Sequence, residues 1–409
     1  MHIWAMNTEM PKALVGDFDY NLPAERIALH PPAKRGDSKL LIYRNGEMFD
    51  GHFEGLPSFL ESNTLMYFNH TKVVHARLLF EYASKPIEVF CMQAAGEHSL
   101  APCLNNCFEA RVEALVGGAR RWKSGKLFLQ WPVGNDTLEL QAEKLGEQNG
   151  LFLIDLKWNL PITLADVLGL FGHVPLPPYL KRLDELEDVG RYQTVYAQSS
   201  GSVAAPTAGL HFTPELLDLL DAKGIKRRAL TLHVGAGTFK PMQGESAAEH
   251  LMHAEEIILD LEELKAIQSA ASEGICAVGT TSLRTLESLY WMGLRCINEG
   301  HNRGPLPQNY PYKAQPLCSV NESLEALYQW HKGQGHNQLH SLTQLFVVPA
   351  YSFKLVNKLI TNFHQPKSTL LMLIAAFIGD DWRKLYQYAL ENNYRFLSYG
   401  DAQLLHLKP

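Results

Sequence analysis

The chain has 409 residues, 46% of them apolar, which is enough for two or three domains with a sizeable core and excludes a wholly disordered protein. With 37 basic against 43 acidic residues the net charge is −6, which excludes a histone-like binder that relies on bulk phosphate neutralisation. The longest apolar run, Leu370 to Phe377, is too short to span a bilayer, and the six cysteines contain no C-x-x-C pair, so reduced thiols in a cytoplasmic protein are expected.

From Arg77 to Trp158 short alternating segments, Phe108 to Val116, Lys126 to Trp131, Thr137 to Leu140 and Leu151 to Leu156, are separated by turn residues. Asn149-Gly150 before Leu151 is a hairpin signal, because a type I′ turn needs positive φ at both central positions. This stretch predicts a small antiparallel β-barrel. On both sides of it helices and strands alternate, so the expected fold is a mixed-sheet α/β domain of residues 1–76 and 159–409, interrupted by a barrel domain of residues 77–158. Further on, Thr213-Pro214 opens a helix that stops at Gly224, and a strand follows from Ile225 to Val234. A helix from Leu261 to Glu273 leads to a strand from Ile275 to Val278, after which Gly279-Thr280-Thr281-Ser282 opens another helix. The segment Cys296 to Leu342 predicts a loop-rich excursion with one short helix. Near the end, Pro366 to Thr369 starts a helix that ends at Gly379, and a further helix runs from Asp380 to about Glu391.

Four polar or Gly-rich clusters fall where strands end and helices begin, the place at which open α/β sheets gather ligands: Ala205 to Phe212, Leu232 to Phe239, Gly279 to Arg284, and Thr361 to Thr369. Helix N-termini expose unpaired N–H groups, which makes the last two clusters candidates for a carboxylate or phosphate. Capped turns with Gly where φ requires it explain any one such cluster equally well. Gly235 and Gly237 lack the third glycine of a dinucleotide fingerprint, and no P-loop occurs, so dehydrogenase and NTPase chemistries are disfavoured. Histidines are concentrated nearby, at His211, His233, His250, His253 and His364, and imidazole is the side chain suited to moving protons near neutral pH. His250-x-x-His253 with Glu255 offers a rival reading, a metal-dependent hydrolase, although spacing three is only weakly metal-specific. Basic clusters at Arg120, Arg121 and Lys123, at Lys181 and Arg182, and at Lys226 to Arg228 are either solvated surface or a lining for a short RNA stem-loop.

At these residues the sequence closely resembles the S-adenosylmethionine:tRNA ribosyltransferase-isomerase family of queuosine biosynthesis. The matching blocks are Phe18 to Tyr20; Asn69 to Val73 with Ala76 to Leu78; Gly172 to Tyr179; Arg191 to Ala197; the four clusters; His250 to Glu255; and Tyr394 to Phe396 with Ser398 to Ala402. Where this chain has His70, Lys72, His75, Leu29, Gly190 and Asn357, the family usually carries other residues, and a diverged paralogue acting on another acceptor is the alternative within the family.

The resemblance implies an α/β domain interrupted by a small barrel. It also implies a reaction in which the ribosyl group of S-adenosylmethionine moves to 7-aminomethyl-7-deazaguanine at the tRNA wobble position and rearranges, giving epoxyqueuosine, adenine and methionine. The expected partners are S-adenosylmethionine as co-substrate and a tRNA anticodon stem-loop, with no metal or organic cofactor, no membrane and a monomeric chain. A sulfonium acidifies the protons on the neighbouring carbon, so the reaction needs a base there and an acid near the purine. His211, His233 and His364 are the candidates for proton transfer. Arg284 and Lys367 are candidates for holding the methionine carboxylate or a phosphate, Asn69, Thr71 and Arg77 for ribose or base, and Phe212, Phe239 and Tyr399 for stacking. Thr207, Gly209, Gly235, Gly237, Thr238, His253, Thr280, Thr281, Asn362, Ser368 and Asp401 complete the expected substrate-binding set.

Overall fold

The computed structural model describes residues 10–148, 150–235, 242, 244–315 and 318–408. Gly237, Thr238 and Phe239, and Asn149 of the hairpin signal, lie outside them.

Side chains alternate across a strand, and here both faces meet apolar neighbours. Leu65 and Tyr67 enter one core while Met66 and Phe68 enter another; Leu41 and Tyr43 are divided from Leu40 and Ile42 in the same way. These strands belong to a nine-stranded sheet whose order is 338–343, 255–260, 226–233, 65–69, 275–278, 356–362, 402–406, 39–44 and 47–52. The four central strands, Lys226–His233, Leu65–Asn69, Ile275–Val278 and Val356–Asn362, run parallel. Their carboxyl ends therefore lie on one edge of the sheet.

Helices cover the faces, and local signals set their ends. Thr213 caps the helix Pro214–Ala222 by accepting from the N–H of Leu216 at 3.2 Å, and Gly224 follows with φ of 85°. Ser368 caps the helix Thr369–Ile378 in the same manner, accepting from Leu371 at 3.2 Å. The segment from Cys296 to Leu342 departs from expectation. The helix Thr280–Glu299 continues into it, a 14-residue helix Val320–Gly333 follows behind a Ser319–Glu322 capping box, and Gln338–Thr343 forms the outermost strand of the sheet. Its Gly, Asn and His content hides a strand whose pairing partner, Glu255–Asp260, is distant in sequence.

The strands between Arg77 and Trp158 form a second, antiparallel sheet with the order 172–173, 77–82, 85–94, 109–117, 151–158, 136–148 and 126–133. It has its own apolar core around Ile87, Val112, Leu138 and Ile154. The sheet curls so that strand Lys126–Val133 approaches strand Arg77–Tyr82, yet among the described residues no ladder joins them. The expected closed barrel is thus a curled open sheet. The short strand Gly172–His173 takes the first part of the remaining edge of Arg77–Tyr82, pairing Gly172 with Leu78 and His173 with Arg77, where a closing strand would have to pair. Only glycine fits there, because a Cβ on Gly172 would lie 1.8 Å from the carbonyl oxygen of His75.

Candidate active site

The four parallel strands end side by side at His233, Asn69, Val278 and Asn362, and a cavity of about 410 Å³ opens at this edge. That volume is in the range of small-molecule sites. Its walls come from residues 204–208, Val234, 279–281, 361–370 and 397–398, with Val15 and Tyr179 at the margin. All four candidate clusters reach it, the second through Val234.

One wall is a relay of polar side chains. Thr207 donates its hydroxyl to Oδ1 of Asn362 at 2.9 Å, the amide nitrogen of Asn362 meets Nε2 of His211 at 3.0 Å, and Nδ1 of His211 meets the hydroxyl of Ser38 at 3.0 Å. An amide N–H is only a donor, so Nε2 must accept and Nδ1 carries the proton. Burial pushes His211 down to about 3, with Arg395 and Arg35 acting in the same direction, so the ring is neutral. His211 does not itself line the cavity; it stands one hydrogen bond behind it.

His364 does line the cavity. Its backbone N–H donates to the Tyr386 hydroxyl at 3.1 Å and its carbonyl accepts from Tyr20 at 2.5 Å, while Nε2 lies 3.1 Å from the Thr361 hydroxyl. Burial holds this imidazole at about 3 as well. Its Nδ1 makes no hydrogen bond among the described residues.

A sequence model of the queuosine biosynthesis protein family matches residues 15–405. The chain belongs to that family. It is 37% identical over 397 residues to the S-adenosylmethionine:tRNA ribosyltransferase-isomerase of Treponema denticola, covering 96% of this chain and 99% of that one. The protein of the same name from Nitrosomonas eutropha is 35% identical over 395 residues, covering 95% of this chain and 97% of that one. A crystal structure of an S-adenosylmethionine tRNA ribosyltransferase from Thermotoga maritima aligns at 26% identity with a TM-score of 0.45, over 95% of this chain and 99% of that one.

In this queuosine biosynthesis family member the cavity gathers Thr207, Thr280, Thr281, Asn362, His364, Lys367 and Ser368 from the expected set. Several other candidates lie elsewhere. Arg77 sits on the curled sheet, paired with Glu88 at 2.7 Å. Phe212 is wholly buried against Phe53 and Phe68. Gly209 packs beneath Tyr196, whose hydroxyl would lie 2.0 Å from an added Cβ. Asn69 bridges strand ends, donating to the carbonyl of Leu232 at 2.9 Å and accepting from the N–H of Thr71 at 3.2 Å. The Thr71 hydroxyl is 3.1 Å from Nδ1 of His233, a ring that burial holds below its ordinary value. Strand alternation explains the separation, for Val234 lines the cavity and His233 does not.

Arg284 is committed to an internal ion pair, its Nη1 lying 2.5 Å from Oε2 of Glu255, while Oε1 of Glu255 is 3.2 Å from His253. Burial opposes ionisation of Glu255, but Arg284 and His253 outweigh it and hold the carboxyl down at about 2. Gly235 lies beside the His253 ring. Among the described residues no group of three His, Cys, Asp or Glu side chains is placed to hold a metal ion. Tyr399 donates to Asp188 at 2.6 Å, and Asp401 accepts from the backbone of Lys39 and Arg395 at 2.9 and 2.7 Å, so both fix the chain around residues 395–401. Two cavity residues not among the candidates are Tyr179 and Ser398, hydrogen-bonded to each other. Both lie within motifs shared with the family, the one signal by which the sequence points to them. No described helix is long and apolar enough to cross a membrane.

Proposed function

We propose that this chain transfers and isomerises the ribosyl group of S-adenosylmethionine onto 7-aminomethyl-7-deazaguanine at the wobble position of tRNA, giving epoxyqueuosine and releasing adenine and methionine. The observation that carries the reading is the convergence of three distant motifs, 205–212, 279–284 and 361–369, with Val234 of a fourth, on one nucleoside-sized cavity in a chain that aligns end to end with relatives named for this activity.

The electrostatics of the cavity suit a sulfonium ligand. A protonated imidazole beside the positive sulfur would repel it, and burial keeps both His364 and His211 uncharged. In this reading Nδ1 of His364 takes the proton from the carbon next to sulfur, and Asn362, oriented by His211, hydrogen-bonds the nucleoside. S-adenosylmethionine is the co-substrate, and no further cofactor is required. Residues 77–158 act as a unit inserted into a domain of residues 1–76 and 159–409, a division supported by an apolar core drawn mainly from them, to which Val74, Ala76, Leu164, Val167, Leu168 and Val203 also contribute.

The test is adenine release from S-adenosylmethionine. It is expected only with tRNA bearing the aminomethyl-deazaguanine; absence of release with that tRNA, or equal release without it, would overturn the proposal.

A further inference from the structure

The methionine end of S-adenosylmethionine carries a carboxylate, and each of the two cations nearest this site in sequence already has a carboxylate partner. Arg284 is paired with Glu255, and Lys367 lies 2.9 Å from Asp19 on a half-exposed surface. Resting on the function proposed above, we infer that the carboxylate is held instead at the N-terminus of the helix Thr280–Glu299, by its backbone N–H groups and the hydroxyls of Thr280 and Thr281.

Three observations support this. The helix is 20 residues long, and its first turn has no side-chain cap, because the capping position is Gly279 at φ of 89°, a conformation that favours glycine. The N–H of Gly279 donates to Ile360 at 2.8 Å, which pins the helix start to the neighbouring strand, and Ser282 donates its hydroxyl to Val278 at 2.7 Å, so neither is available to a ligand. Second, Thr280 lines the cavity at 8% exposure, and its hydroxyl has no hydrogen-bond partner among the described residues. Third, the hydroxyl oxygen of Thr281, also on the cavity wall, is fully buried and unpartnered.

A buried hydroxyl without a partner is costly, and that of Thr281, with the unpartnered Thr280 hydroxyl and orphan N–H groups beside it, makes a site with donors and no acceptor to match. The other helix that opens on the cavity, Thr369–Ile378, differs in having Ser368 already seated on its first turn. A carboxylate satisfies the donors of the Thr280 helix without bringing a counter-cation into the pocket.

The experiment compares binding of S-adenosylmethionine with binding of its decarboxylated form, which keeps the adenosyl group, the sulfonium and the amine. The unaltered protein is expected to prefer the carboxylate-bearing ligand by at least about 10-fold, the scale of a hydrogen bond to a charged group. In Thr280→Val/Thr281→Val that preference should shrink toward equality through weaker binding of S-adenosylmethionine alone. Thr281→Ser, which keeps a hydroxyl, should restore part of it, and Lys367→Met should leave it unchanged. A preference that survives the double substitution, or that vanishes in Lys367→Met, overturns the assignment. So does an equal loss of both ligands in the double variant and in Thr281→Val alone. Failure of the unaltered protein to bind S-adenosylmethionine at all strikes instead at the proposed function, and the carboxylate site falls with it.

Discussion

Asn362 holds its amide nitrogen 3.0 Å from Nε2 of His211, and this single contact fixes which way the amide faces: its oxygen toward Thr207. His211 thereby orients a cavity wall from behind, without itself facing the cavity. Replacing it with Ala removes the acceptor, opens a void beside Phe53 and should destabilise the fold by about 2–4 kcal/mol, by analogy with other large-to-small core changes. Urea unfolding measures this, and His211→Gln, which keeps an acceptor within the site, should recover part of the loss. A stability change under about 0.5 kcal/mol in the Ala variant would show that the relay is dispensable.

His364 should separate chemistry from binding. Its Nδ1 has no hydrogen-bond partner among the described residues, so His364→Ala is expected to slow single-turnover adenine release by about 100-fold or more, the usual contribution of a general base, with affinity for S-adenosylmethionine altered only a few-fold. His364→Gln preserves a donor toward Thr361 but accepts no proton, and should be nearly as slow. Turnover at the original rate in either variant would remove His364 from the proton path.

Acid should weaken the fold through the same two rings. His211 and His364 titrate at about 3 in the folded protein against an ordinary value of 6.5, so between these limits the unfolded chain binds protons that the folded chain does not. Their stabilising contribution is complete above pH 6.5 and is lost as pH falls toward 3, by up to about 1.4 kcal/mol per pH unit for each ring. His331 and His406, held at about 4 chiefly by burial, act in the same sense. Glu255, at about 2, adds its own loss only below its ordinary 4.5. The urea midpoint should therefore drop already between pH 6.5 and 5, and His211→Gln should flatten the slope; a midpoint constant over that range contradicts the account.

The Glu255–Arg284 pair predicts an asymmetry. Glu255→Ala leaves the Arg284 guanidinium buried without its counter-charge and should cost about 3–5 kcal/mol. Removing both charges, in Glu255→Ala/Arg284→Met, should be milder than the first substitution alone, because no uncompensated ion remains. Thermal or urea unfolding of the two variants decides it, and a double variant worse than the single one would refute the reasoning.

Local chemistry was legible in the sequence wherever a few neighbouring residues decide the outcome. Thr213-Pro214 and Ser368 open helices, and the strands Lys226–His233 and Ile275–Val278 fall close to where apolar runs place them. What escaped depends on partners far away. Barrel closure turns on which strand pairs with the edge of Arg77–Tyr82, and Gly172–His173, outside the predicted insertion, takes part of it. The strand Gln338–Thr343 is recognisable only by its ladder to Glu255–Asp260. At the site, placing a residue at the end of a strand left open which face it takes, so His233 and Val234 part company, and no local pattern announces that Glu255 neutralises Arg284.

Strand Ala402–His406 lies between Val356–Asn362 and Lys39–Arg44, joining a stretch made early to one made late. On the ribosome the sheet must wait, with two unpaired edges facing a gap at its interior, until that segment emerges. A polypeptide clipped ahead of residue 402 would therefore be left with a split platform beneath Asn362, and limited proteolysis there should abolish the pocket rather than trim it.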